Sequence, residues 1–124
     1  MIPSVFYVGI GGALGAISRF MLSTWFNTKE GFPFGTLCAN ALGCFLLGFL
    51  GTYLSNRMSP EWKLVVSTGF LGALTTFSTF SFETMQFVLR AQWKLATIYF
   101  LAQILSGLTL TLLGITLAQS VFKP

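Results

Sequence analysis

The segment with the most chemistry in it runs Gly69-Phe70-Leu71-Gly72-Ala73-Leu74-Thr75-Thr76-Phe77-Ser78-Thr79-Phe80-Ser81-Phe82-Glu83. Five hydroxyl side chains, those of Thr75, Thr76, Ser78, Thr79 and Ser81, fall within positions 75–81, behind two glycines and interleaved with phenylalanines. Such a stretch is a poor continuous helix by propensity, and a break is expected near 72–76. A break frees backbone carbonyls, which are neutral but electronegative and can coordinate a cation. The plain alternative is an unbroken helix whose hydroxyls bond back to the preceding turn. Phe77 and Phe80 are three residues apart and share a helix face. An aromatic ring carries a negative face and a positive edge, so ring edges aimed into a narrow path attract a small anion weakly. Weak attraction suits conduction, because the ion must also leave; taken alone, such a pair is ordinary core packing.

Other polar groups stand out against apolar surroundings. Asn40 carries two N–H donors, suited to an anion or a backbone carbonyl, and Thr36 lies one turn before it. Arg19 and Glu83 are the single charges of their windows. An arginine inside a span marks a pathway or an interface, or else snorkels to headgroups. Tyr99, Gln103 and Ser106 share one face of the last helix as a polar stripe, an ion track or glue between helices.

The elements that must position these groups are membrane helices. Of 124 residues, 54% are hydrophobic and only 8% charged, with mean hydropathy +0.78. So few charges exclude a disordered chain and a nucleic-acid binder built on basic patches, and argue against a water-soluble enzyme domain. Histidine is absent, which removes histidine-based catalysis and metal binding. No nucleophile–base pair or metal-ligand cluster emerges. Cys38 and Cys44, six apart on one helix, read as small packing residues. Windows 1–28 and 64–89 hold one charge each, and 31–56 and 95–122 none. Each exceeds the roughly 20 apolar residues that a spanning helix needs. The expected fold is an all-α membrane protein: a single domain over 1–124 with spans about 4–26, 34–55, 62–89 and 95–121, the third broken near its middle. Trp25, Trp62 and Trp93 fall at the expected boundaries. The first window has neither a basic leader nor a small-residue cleavage site, so it is expected to be a retained helix. Gly11 with Gly15, Ala39 with Gly43 and Cys44 with Gly48 have the small-xxx-small spacing of close helix contacts, within a subunit or between two.

Four spans put both termini and the second turn on one side, with Arg57, Lys63 and Lys123. The other side holds Lys29, Arg90 and Lys94, and Arg19 would snorkel toward it. Three basic residues against four is almost no bias, whereas a clear Lys/Arg excess normally fixes orientation. The expectation is dual insertion and an antiparallel homodimer.

These residues, in this order, resemble the Fluc (CrcB) family of bacterial fluoride channels. Three motifs carry the resemblance across nearly the whole chain: Gly11-Gly12-Ala13-Leu14-Gly15-Ala16 with Arg19; Gly35-Thr36-Leu37 through Asn40 to Gly43; and Gly69-Phe70-Leu71-Gly72 with Thr75-Thr76-Phe77-Ser78-Thr79-Phe80. The resemblance implies a channel of the bacterial cytoplasmic (inner) membrane that passively exports fluoride and lowers its cytoplasmic concentration, through two pores at an antiparallel dimer interface. It implies Phe77 and Phe80 as pore-lining rings, Asn40 as the pore asparagine, Arg19 at the pore mouth and Glu83 as the acid near the ring pair. Tyr99 would begin the polar track of the last helix, followed by Gln103 and Ser106. The hydroxyls of Ser78, Thr79 and Ser81 would help replace fluoride's water. Gly72 and Thr75 would offer carbonyls to a structural sodium ion (Na+) on the dimer axis. Ala73 stands where the family often carries glycine. A small multidrug transporter would need a carboxylate in the first helix, which here carries Arg19 instead. A purely structural subunit would not need the glycine-broken polar segment.

Overall fold

The computed structural model describes residues 1–54 and 57–122. Ser55 and Asn56 of the second turn, which include the end of the span expected over 34–55, and Lys123 of the charge count lie outside the described residues. Among those residues every regular element is helical. These are α1 (Ile2–Phe26), α2 (Phe34–Tyr53), α3 (Pro60–Lys63), a π-helical stretch (Leu64–Leu71), α4 (Gly72–Leu74), α5 (Phe77–Leu89) and α6 (Trp93–Val121). Four helices are long and apolar enough to cross a membrane: α1, α2, the interrupted Pro60–Leu89 and α6. Their bounds fall within two residues of the expected spans. At 1.5 Å per residue, even the 20 residues of α2 cover about 30 Å.

Local chemistry explains the ends. Pro3 and Pro60 sit in the first turns of α1 and α3, where a missing N–H costs nothing. The turn into α6 is a Schellman motif: Gln92 N–H donates to Phe87 O at 2.8 Å and Ala91 N–H to Val88 O at 2.9 Å. Ala91 takes the left-handed position at φ 57°. Trp25, Trp62 and Trp93 are all exposed at helix ends, where an aromatic belt meets the headgroups.

The expected break is present. The helix stops at Leu74, Thr75 and Thr76 are extended, and α5 restarts at Phe77. Thr76 is a good N-cap residue, and its hydroxyl accepts the Thr79 N–H at 3.2 Å. The π-helical turn ahead of the break has no counterpart in the sequence reading.

Packing is by close backbone approach. A Cβ added to Gly11 would fall 2.0 Å from Val65 O, and one on Gly15 would fall 2.1 Å from Phe70 O. One on Gly48 would lie 2.3 Å from Thr111 O. The glycine stripes therefore seat α1 on the third span and α2 on α6 inside one subunit, which decides between the two open readings of these glycines. Gly12 faces open space. Two small cores follow. Ala39, Leu71 and Leu74 fill one beside the break, and Phe80, Phe87, Ala96 and Tyr99 fill the other between α5 and α6. Most of the remaining large apolar side chains of α1 and α6, among them Phe20, Leu108 and Leu112, are exposed, as lipid-facing residues should be.

Candidate functional site: a polar track between two hollows

The break and three helices converge on one hydrogen-bonded chain. At the break, Thr76 is extended (φ −152°, ψ 116°), so its N–H and C=O point to the same side. Asn40 from α2 pairs with both. Its Oδ1 accepts Thr76 N–H at 2.7 Å and its Nδ2 donates to Thr76 O at 3.2 Å. The second Nδ2 hydrogen goes to Gln103 Oε1 at 3.0 Å. Of the two acceptors open to the Asn40 amide, an anion or a backbone carbonyl, the structure provides the carbonyl. Gln103 Nε2 then donates to Tyr99 Oη at 2.9 Å, and Tyr99 Oη donates to Glu83 Oε2. From the other side, Thr36 Oγ1 donates to Glu83 Oε1 at 2.9 Å and accepts from Asn27 Nδ2 at 3.3 Å. Donors from two directions thus end on the Glu83 carboxylate. Such satisfaction matters, because a buried polar group left without a partner is costly.

The chain runs between two hollows. One, of about 180 Å³, is lined by Asn27, Lys29, Glu30, Glu83, Gln86 and Arg90 at the turn end of the bundle. The other, of about 230 Å³, is lined by Asn40, Cys44, Thr75, Phe77, Phe80 and Gln103 beside the break. Phe77 and Phe80 meet edge-on with ring centroids 5.6 Å apart. They differ in exposure: Phe80 is 5% exposed and Phe77 76%. The Phe80 ring also stands edge-on to Tyr99 at 5.6 Å.

Of the residues singled out in the sequence, Asn40, Gln103, Tyr99, Glu83, Phe77, Phe80 and Thr79 are brought together here. Ser78 joins at the edge, 3.2 Å from Thr76 Oγ1. Ser81 takes no part in the chain. Ser106 shares the helix face but not the chain; its buried hydroxyl has no partner among the described residues. Arg19 is half-buried. Its Nε donates to Ala73 O at 3.0 Å, at the break. Cys44 lies beside Gly107 as a packing residue, whereas Cys38 is exposed.

Sequence reasoning missed Asn27, and noted Thr36 only as a neighbour of Asn40. Asn27 sits in a loop, where asparagine is commonplace, yet its Oδ1 takes the N–H groups of Gly35 and Thr36 at 2.7 and 3.4 Å. The available signal was Pro33 at the N-cap of α2: proline offers no side-chain acceptor, so the first turn needs one from elsewhere.

Four membrane-length helices, three of which share a polar chain that ends at a broken span, define a multi-pass membrane protein suited to carry a small polar solute or ion. Residues 6–115 match the family described as CrcB-like protein, Camphor Resistance (CrcB), and the chain belongs to that family. Among similar proteins is the fluoride-specific ion channel FluC of Oceanobacillus iheyensis, 44% identical over 117 residues, covering 93% of this chain and 91% of the relative. The fluoride-specific ion channel FluC of Nitratiruptor sp. is 43% identical over 120 residues, covering 95% and 94%. The fluoride-specific ion channel FluC of Methanopyrus kandleri is 43% identical over 118 residues, covering 94% and 89%.

Proposed function

We propose that this chain is a passive fluoride channel that works as an antiparallel homodimer with two pores. The observation that carries this reading is the continuous chain of uncharged donors, Asn40, Gln103 and Tyr99, that runs from the break beside the Phe77–Phe80 pair to the Glu83 carboxylate. Fluoride holds its water tightly, so a passage must return donors and positive partial charge at every step. Hydroxyl hydrogens rotate to suit their partner. Those of Thr36 and Tyr99, directed at Glu83, can turn to a passing ion. Gln103 uses one N–H on Tyr99, and its second has no partner among the described residues, which leaves a donor beside the second hollow. Ring edges of Phe77 and Phe80 and the hydroxyls of Ser78, Thr79 and Ser81 continue the series. No coupled proton or cation is needed: the membrane potential expels an anion that accumulates inside, in the bacterial cytoplasmic membrane where such a channel would lower cytoplasmic fluoride.

What one subunit leaves open supports the dimer. Phe77 lies largely exposed next to a polar break, and non-helical backbone at membrane depth requires a protein or aqueous neighbour rather than lipid. A second, inverted copy supplies that neighbour and completes the wall of each pore.

Gly72 and Thr75 also suit the sodium ion expected at the dimer axis. In a continuous helix their carbonyls would accept from Thr76 N and Thr79 N. Here those N–H groups are diverted to Asn40 Oδ1 and Thr76 Oγ1. Carbonyl oxygens relieved of their helix donors are the ligands that replace water around an alkali cation. When bound, such an ion would supply fixed positive charge and an oxygen-mediated tie between copies.

Efflux from liposomes tests the reading. Protein reconstituted with internal potassium fluoride should release fluoride on addition of a potassium ionophore, and should release no chloride in the matched experiment. Equal chloride release, or no fluoride release from folded protein, overturns it.

A further inference from the structure

Arg19, a charged side chain inside α1, stands apart from the track. Arg19 lines neither hollow, and its Nε–H points into the break, at Ala73 O. In an unbroken helix that carbonyl would accept the N–H of Phe77. Because Thr75 and Thr76 are extended and Phe77 opens a new helix, the partner is lost.

The approach is built into α1. Gly11, Gly15 and Arg19 are spaced four apart on one face. The two glycines bring the α1 backbone against Val65 O and Phe70 O, and one turn further on Arg19 starts close enough to reach past them. Leu22, three residues beyond, packs against the Ala39–Leu71–Leu74 core, which holds this stretch of α1 beside the end of α4. From the opposite flank, Asn40 holds Thr76 by both its backbone groups. The break is thus held on both sides, at Ala73 by α1 and at Thr76 by α2, and the direction in which α5 departs, with Phe77 and Phe80 on its first turn, is set between them.

We infer that Arg19 is a positioning residue for the phenylalanine pair. Its N–H caps the carbonyl that the break exposes, and its charge is not what the ion uses. The inference rests on the fluoride-channel reading and assigns Arg19 a task other than attracting the ion at the pore mouth.

Side-chain geometry provides a clean test. The Nε2 of glutamine lies as many bonds from Cα as the Nε of arginine, so Arg19→Gln keeps an N–H at the same reach and removes the charge. Arg19→Met puts a methyl group at the same reach and removes both. The wild type and both variants are purified, checked as oligomers by size exclusion, and measured for fluoride flux against fluoride concentration and for melting temperature. Arg19→Gln should retain maximal flux within about threefold of wild type, with the half-saturating fluoride concentration and melting temperature unchanged. Arg19→Met should lose about tenfold or more in maximal flux and melt lower, because the carbonyl is left bare. Three outcomes overturn the inference: glutamine as poor as methionine, a raised half-saturating concentration in both variants, or a methionine variant equal to wild type. If Arg19→Met does not assemble, the glutamine variant decides alone. A wild type that passes no fluoride would refute the channel reading instead, and the melting temperatures would still test the cap.

Discussion

Tyr99 is the hinge of the track. Its oxygen gives one hydrogen bond to Glu83 and takes one from Gln103, while its ring, fully buried, fills the core between α5 and α6. Tyr99→Phe therefore removes one atom from the polar chain and almost nothing from the packing. The expected result is an assembled protein whose fluoride efflux falls by about tenfold, since Gln103 and Glu83 each lose a partner at once. Flux equal to wild type would take Tyr99 off the ion's route. Tyr99, Gln103, Asn40 and Glu83 were legible in the sequence because a polar group in an apolar window is rare and must be satisfied. Ser106 shows where that logic stops. Helical periodicity puts it on the face of Tyr99 and Gln103, but periodicity does not say what stands opposite at each height. Thr36 was underrated for a related reason, since its partner Glu83 comes from a helix that is distant in sequence.

At the scale of elements, contact between α1 and the third span depends on missing side chains. Gly11 has the Val65 carbonyl oxygen 2.0 Å from where a Cβ would be, whereas its neighbour Gly12 has nothing within 4 Å. Gly11→Ala must push α1 away from a backbone atom that has no rotamer to yield. It should cost about 1–3 kcal/mol, the usual range for overpacking, and should lower fluoride flux by displacing Arg19 from Ala73. Gly12→Ala should be neutral or slightly stabilising, because alanine is the better helix former by roughly 1 kcal/mol. Thermal unfolding of the two purified variants, monitored by size exclusion, compares them directly; similar losses in both would mean that the α1 contact is not where the geometry puts it. The four spans and the break were readable from window length and from the Gly72 to Thr76 composition. The π-helical turn over Leu64–Leu71 was not. Its sequence offers ordinary helix formers, and its wider winding sits where the two backbones meet at Gly11, Gly15 and Gly69, a tertiary contact that local propensity does not encode.

For the whole molecule the open question is orientation, and the position of Arg19 sharpens it. Arg19 sits seven residues inside the end of α1 with its Nε on Ala73 O, which sets it apart from the basic residues that flank the spans. What remains is three against three: Arg57, Lys63 and Lys123 on one side, and Lys29, Arg90 and Lys94 on the other. Topology follows Lys/Arg placement near span ends, so an even count gives the insertion machinery no instruction and both orientations should arise from one gene product. The balance can be tipped at exposed sites that touch neither hollow. Ala91→Lys with Gln92→Lys makes it five against three in one direction, and Gln119→Lys with Ser120→Lys makes it five against three in the other. Each double variant should insert one way, as reported by a C-terminal fusion active on one side of the membrane only. If each pore needs walls from two inverted copies, either variant alone should pass no fluoride, and co-expression of the two should restore efflux. A locked variant that conducts by itself would mean that parallel pairs or single subunits suffice. In that case the exposed Phe77 would have to find its cover from something other than an inverted copy of this chain.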